Sequence, residues 1–217
     1  MKSPEKIEKI YLSLDLDFWN CTKRINGMMN FLYKIKNLNV PIKVVSEHHH
    51  LLPDINSVDC NGVVNIDYHS DIANNYKTEK ICELNCGTWA NRVKIRKQRD
   101  SFFKWIYPNS DDFSFTRAYC HVPQVESYSP FKKPGIAGWK NCIKSNILDV
   151  NLKNVAAVGI AFSYDWLEKN IIKKIVIARN ILELKEIPEG WQKDSSVKNG
   201  WEKYIHTGMI PLDIELD

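Results

Sequence analysis

No apolar run in this chain approaches the ~18–20 residues that cross a bilayer. The opening MKSPEKIEKIYLSLDLDFW carries charges where a signal peptide needs an unbroken apolar stretch. Membrane insertion and export are therefore not expected, and a cytoplasmic location is. Charge of one sign is equally scarce: 30 Lys and Arg against 26 Asp and Glu leave only +4 over 217 residues, with the cations dispersed. Nucleic-acid binding has no compositional support, and weak attraction to acidic partners is as far as the charge reaches. The six cysteines (21, 60, 82, 86, 120, 142) follow no repeating spacing. Cys82 and Cys86 stand one helical turn apart without a second pair to complete a zinc site, so reduced thiols in a reducing compartment are expected. Repeats, low-complexity tracts and linkers are also missing. At a length that would cramp two full domains, this leaves a single domain over 1–217.

Short apolar runs alternating with helical periodicity are what the chain does have. Residues 10–16 (IYLSLDL) read as a strand, and Ile25, Met28, Met29, Leu32 and Ile35 put an apolar face on a helix over 22–37. Pro41 restarts the chain into a strand at 42–46, and 63–66 reads as a third, after an Asp- and Asn-rich connection from Pro53 to Gly62. Residues 78–97 are compatible with a helix broken near Gly87, and 101–140 read as short strands and long loops. The run NVAAVGIAF (154–162) is the most continuously apolar, as in a central strand covered on both faces. Ile171, Ile175, Ala178 and Leu182 mark another amphipathic helix; the tail after Pro188 is polar, with Trp191 and Trp201. Strand–helix alternation of this kind predicts an α/β fold with a mostly parallel central sheet in a three-layer sandwich.

Three polar segments each close a predicted strand: Asp15-Leu16-Asp17, His48-His49-His50, and Asp67-Tyr68-His69-Ser70-Asp71. In parallel α/β sheets ligands bind beyond the carboxyl ends of the strands, and all three segments fall there. Asp67, His69 and Asp71 point one way if the segment stays extended. Asp15 and Asp17 add oxygens from another strand, and the histidine run adds a nitrogen. Carboxylates with imidazole suit Mn, Fe(II) or Zn, and a carboxylate shared by two cations activates the water between them. Singly, each segment has an ordinary alternative. Asp15 and Asp17 can be loop acids or helix caps, His50 a polar helix start, Asp71 an N-cap, and Glu47 a surface carboxylate. The combination is what favours a metal-dependent hydrolase.

The blocks LSLDLDFW, VVSEHHHLLPDI, VVNIDYHSDI, ELNCGTWANRV and VGIAFSYDW resemble an uncharacterised family related to the arginase and histone-deacetylase fold, to which peptide arginases are also similar. The resemblance spans most of 10–170. It implies metal ligands at Asp15, Asp17, His49 (or His48), Asp67, His69 and Asp71, with Asp67 and Asp15 bridging. The acidic pair comes first in this chain but late in arginases, which implies a rearranged strand order. The short length implies trimmed helices and an open cleft.

The same resemblance implies hydrolysis of a C–N bond by hydroxide held between two Mn2+ ions per chain, with Fe2+ or Zn2+ as substitutes. The expected substrate is an arginine-containing peptide, converted to ornithine with release of urea. His48 is expected to move a proton, with Glu47 as second choice. Asp165 is expected to pair with the guanidinium, although an N-cap role fits it equally. Trp89 and Asn91 are expected to line the pocket, with core packing the ordinary role for Trp89. A metal-dependent deacetylase or amidohydrolase is the alternative within the enzymes; a metal-stabilised binding protein without turnover is the alternative outside them. No residue pattern reports the oligomeric state.

Overall fold

The structure is a computed structural model that describes residues 9–21, 25–71, 84, 87–97, 101–108, 141–145, 150–164, 171–186 and 188. Among the described residues six strands form one sheet: β1 (Ile10–Asp15), β2 (Ile42–Val45), β3 (Gly62–Ile66), β4 (Phe102–Ile106), β5 (Asn141–Ser145) and β6 (Val155–Ala161). Their order is β2-β6-β1-β3-β4-β5 and every pairing is parallel. The α/β expectation therefore holds. The central strands are apolar on both faces because helices and turns cover both sides, which removes the need for polar alternation.

Alternation along the strands sorts the core into two layers. Ile10, Leu12 and Leu14 of β1, Val64 and Ile66 of β3, and Val158 and Ile160 of β6 face one side. There they meet α1 (Ile25–Lys36) and α3 (Ile171–Leu182). Tyr11, Val63, Ala157, Ala161, Phe103 and Trp105 face the other side. That side is covered by Ile55 of the short helix α2 (Leu52–Ser57) and by Leu51, Trp89 and Ala90 of irregular turns. On the second face the strands become polar toward their carboxyl ends. Ser13 and Asn65 lie in register across β1 and β3, with Gly159 beside Ser13 on β6.

Several expectations shift in detail. Leu52–Ser57 is helical where a loop was expected, since Pro53 fits the first turn of a helix that starts at Leu52. Residues 89–92 and 94–97 form two 3-10 turns, not the end of a helix. Asn141–Ser145, which carries no strong strand pattern, is an outer strand. β6 lies inside the sheet although it is the last of the described strands in sequence, so β1 and β2 are not neighbours. The chain leaves β1 for the β2 side and leaves β3 for the β4 side, which opens a crevice between the carboxyl ends of β1 and β3.

Candidate metal centre

The acidic pair and the pentad flank that crevice, and each is shaped by the same local device. Asp15 Oδ1 accepts the backbone N–H of Asp17 at 2.9 Å, and Asp67 Oδ1 accepts that of His69 at 2.8 Å. These are turns closed by an aspartate side chain onto the backbone two residues on. The segments therefore do not stay extended; the i, i+2 spacing is the reach of the turn. A cross-link joins the two loops, with Tyr68 N–H donating to Asp17 Oδ1 at 3.2 Å. Trp105 Nε1 donates to the Asp67 carbonyl at 3.0 Å and pins the start of the second turn.

His48 enters from β2 on a 3-10 turn (His48–Leu51) that crosses the second face of the sheet. Gly159 makes that crossing possible: a Cβ there would meet the Tyr11 hydroxyl and lie 2.7 Å from both Leu51 methyls. The His48 Nδ1 lies 3.2 Å from Asp15 Oδ2, 2.9 Å from Asp67 Oδ2 and 2.9 Å from Asp71 Oδ2. None of the three has hydrogen-bond alignment, and this Nδ1 is buried without a hydrogen-bond partner. Its other ring nitrogen is engaged, with Nε2 2.6 Å from Ser13 Oγ. A second convergence stands beside the first: Asp17 Oδ2 lies 2.9 Å from His69 Nδ1 and is likewise buried without a hydrogen-bond partner.

Donor atoms thus gather into two groups, Asp15–His48–Asp67 and Asp17–Asp67–His69, joined by Asp67. Its Oδ2 faces His48 and its Oδ1 faces His69, so each oxygen addresses one group. Carboxylate oxygens and imidazole nitrogens packed together in a buried site, two of these atoms without a hydrogen-bond partner, could hold a metal ion. The donor set contains oxygen and nitrogen but no thiolate.

Electrostatics agrees with the geometry. Burial and the neighbouring Asp17 raise the Asp15 carboxyl. Burial, followed by Asp67, pushes Asp17 up to about 6. Burial, followed by Asp71 and Asp15, pushes Asp67 up to about 7. For His48 burial acts downward, but the surrounding carboxylates of Asp71, Asp15 and Asp67 outweigh it and hold the imidazole well above its usual range. Crowded carboxyl groups that resist ionisation are relieved either by protons or by a cation among them.

The structure brings together Asp15, Asp17, Asp67 and His69 from the expected ligand set, with His48 as the imidazole of the first group. His49 is not among the converging atoms; it is half-buried, with its ring 4.2 Å from that of His50. One residue of shift on a 3-10 turn moves a side chain by about a third of a turn, which spacing alone does not reveal. Asp71 touches His48 and has a positive φ of 57°. Its Oδ2 accepts the Trp89 indole N–H, 2.5 Å away. Trp89 is fully buried, 4.8 Å from the His48 ring, so it braces the centre from within and offers no face to an open pocket. Asn91 is buried on the same turn. Glu47 immediately precedes the His48 turn and is half-buried. Asp165, Trp191 and Trp201 lie outside the described residues.

No protein-family model, curated protein or solved structure matches the chain. The chain forms a parallel α/β sheet with a buried Asp/His cluster at its carboxyl edge that could hold metal. Among the described residues no helix is long and apolar enough to cross a membrane. Sequence reasoning missed Ser13, Asn65 and Ser163, which contact the cluster from behind. For Ser13 and Asn65 a signal was present, because polar residues inside otherwise apolar strands require partners.

Proposed function

We propose that this chain is a metal-dependent hydrolase of C–N bonds, with two divalent cations held at the β1–β3 crevice. The observation that carries this reading is the pair of donor groups hinged on Asp67, in which His48 Nδ1 and Asp17 Oδ2 are buried without hydrogen-bond partners. Asp15, His48 and Asp67, with Asp71 alongside, would hold one cation; Asp17, Asp67 and His69 would hold the other. Two such cations, when bound, lower the pKa of water caught between them and stabilise negative charge on a substrate. Manganese is the first choice for a set of oxygens with imidazole.

The protein's own residues supply the rest. Ser13 at Nε2 leaves Nδ1 of His48 as the atom that faces the carboxylates. The side chain of His69 is 15% exposed while the other ligands are nearly sealed, so substrate reaches the centre on the His69 side. With His48 drawn into the ligand set, Glu47 is the remaining candidate to pass a proton to the leaving nitrogen. The resemblance in the sequence blocks selects the substrate: the side chain of a peptidyl arginine. Water is added across its guanidino C–N bond, yielding peptidyl ornithine and urea.

Protein purified with added Mn2+ should carry close to two ions per chain and release urea from arginine-containing peptides more readily than from free arginine. A single ion per chain, with release of acetate from acylated amines, would support the deacetylase alternative. Less than one ion per chain, unchanged by Asp67→Ala, would remove the hydrolase reading. Glu47→Gln should keep the ions and lose turnover.

A further inference from the structure

Strand β6 separates β1 from β2, so Asp15 and His48 approach the first cation group from strands that never pair. Something must fix the distance between them, and a residue two positions past the end of β6 touches both sides. Ser163 is fully buried and donates its hydroxyl to Asp15 Oδ2, the same oxygen that faces His48, at 2.5 Å. Its backbone N–H donates to the carbonyl of Ser46, two residues before His48, at 2.7 Å. The preceding N–H, of Phe162, bonds the Val45 carbonyl at 3.0 Å, so β6 and β2 remain zipped up to the point where His48 departs. Ser163 does this with φ at 46°, in the left-handed region that a residue bearing a Cβ seldom enters. Strain of that kind persists where surrounding bonds dictate it, and it clusters at functional sites.

We propose that Ser163 is a positioning residue of the cation centre: its hydroxyl orients Asp15 and its backbone N–H fixes the strand end that delivers His48, so that the two ligands close on one cation. The proposal rests on the reading of this cluster as a metal site. In that role Ser163 contributes no donor to the cation. It decides which Asp15 oxygen faces inward and how far that oxygen stands from the imidazole, a form of outer support whose loss typically weakens metal affinity about 10–100-fold.

Ser163→Gly removes the hydroxyl and relieves the backbone, while Ser163→Ala removes the hydroxyl and keeps the strained φ. Both full-length variants would be titrated with Mn2+ by calorimetry, and their metal-free melting followed by circular dichroism. The expected result is a weakening of Mn2+ affinity by about 10–100-fold in both, with metal-free Ser163→Gly melting no lower than Ser163→Ala. Affinities within twofold of wild type in both variants would overturn the proposal and leave the metal centre standing. Failure of Ser163→Gly to fold would also overturn it, because the hydroxyl would then support the fold and not a ligand. A wild-type protein that binds no Mn2+ would sink the metal reading and this proposal together.

Discussion

At the scale of single residues, four carboxylates and two imidazoles share a largely buried crevice, so protons are the cluster's alternative to cations. The folded chain keeps protons on Asp17 up to about 6 and on Asp67 up to about 7, and Asp15 is shifted the same way; all three start from an ordinary value of 3.8. The unfolded chain releases those protons lower, so between about 4 and 7 the folded state binds more protons and stability falls as pH rises. His48, raised from 6.5, adds stability that is complete below that value and lost as pH climbs past its folded value. Both contributions have one sign. Metal-free protein should melt at a higher temperature at pH 5 than at pH 8, and saturating Mn2+ should weaken or reverse that slope because binding displaces protons. A melting curve in chelator that is flat or rising over this range would contradict the clustering. Asp67→Asn removes the carboxylate shared by both groups. At pH 8 the metal-free variant should stay within about 1 kcal/mol of wild type, since the relief of like charges that face one another offsets the lost pairing with His48. Its bound Mn2+ should fall below one ion per chain, as read by elemental analysis.

At the scale of elements, the first cation group depends on how closely the His48–Leu51 turn lies over β6. The turn rests on Gly159, and Tyr11 from the neighbouring strand β1 closes the same space while bonding Asp54 of α2 at 2.6 Å. Gly159→Ala places a methyl where Leu51 and the Tyr11 hydroxyl already sit, and overpacking of this kind costs about 1–3 kcal/mol. The melting temperature should fall and Mn2+ affinity should fall with it, because the turn that lifts away carries His48. Loss of stability with unchanged affinity would show that the turn and the cluster are uncoupled. The strands themselves were legible in the sequence. Ile10–Asp15, Ile42–Val45, Gly62–Ile66 and Val155–Ala161 lie within a residue or so of their apolar runs, because the three inner strands are covered on both faces and the outer Ile42–Val45 is rich in β-branched residues. Asn141–Ser145 and the short helix Leu52–Ser57 were not legible, being polar segments whose backbone is set by neighbours.

At the scale of the whole molecule, a cation bound only by the folded state must stabilise it. At a free Mn2+ concentration 100 times its dissociation constant the gain is about 2.7 kcal/mol, which for a chain of this size raises the melting temperature by about 5–10 °C. A chelator should reverse the shift, and scanning calorimetry with and without it is the direct check. No shift at saturating Mn2+ would mean that the carboxyl edge of the sheet holds no ion. The sheet order would give this effect its reach, since the candidate ligands come from β1, β2 and β3, with β6 wedged between two of them. Cations bound at this rim would tie together loops that are up to 56 positions apart, from Asp15 to Asp71.

The order of apolar runs and helical faces in the chain determined by itself that the sheet would be parallel and that Asp15, Asp17, Asp67 and His69 would stand at its carboxyl edge. Strand direction and the location of loop residues follow from local pattern. Only the tertiary structure decided that His48 and not His49 faces the carboxylates, that Trp89 braces Asp71 from inside, and that Ser163, 148 positions from Asp15, reaches its carboxylate. Those choices depend on the rotation of a 3-10 turn, a left-handed backbone angle and a late strand inserted between two early ones. Each is set by packing between segments distant in sequence, and local periodicity carries no trace of it.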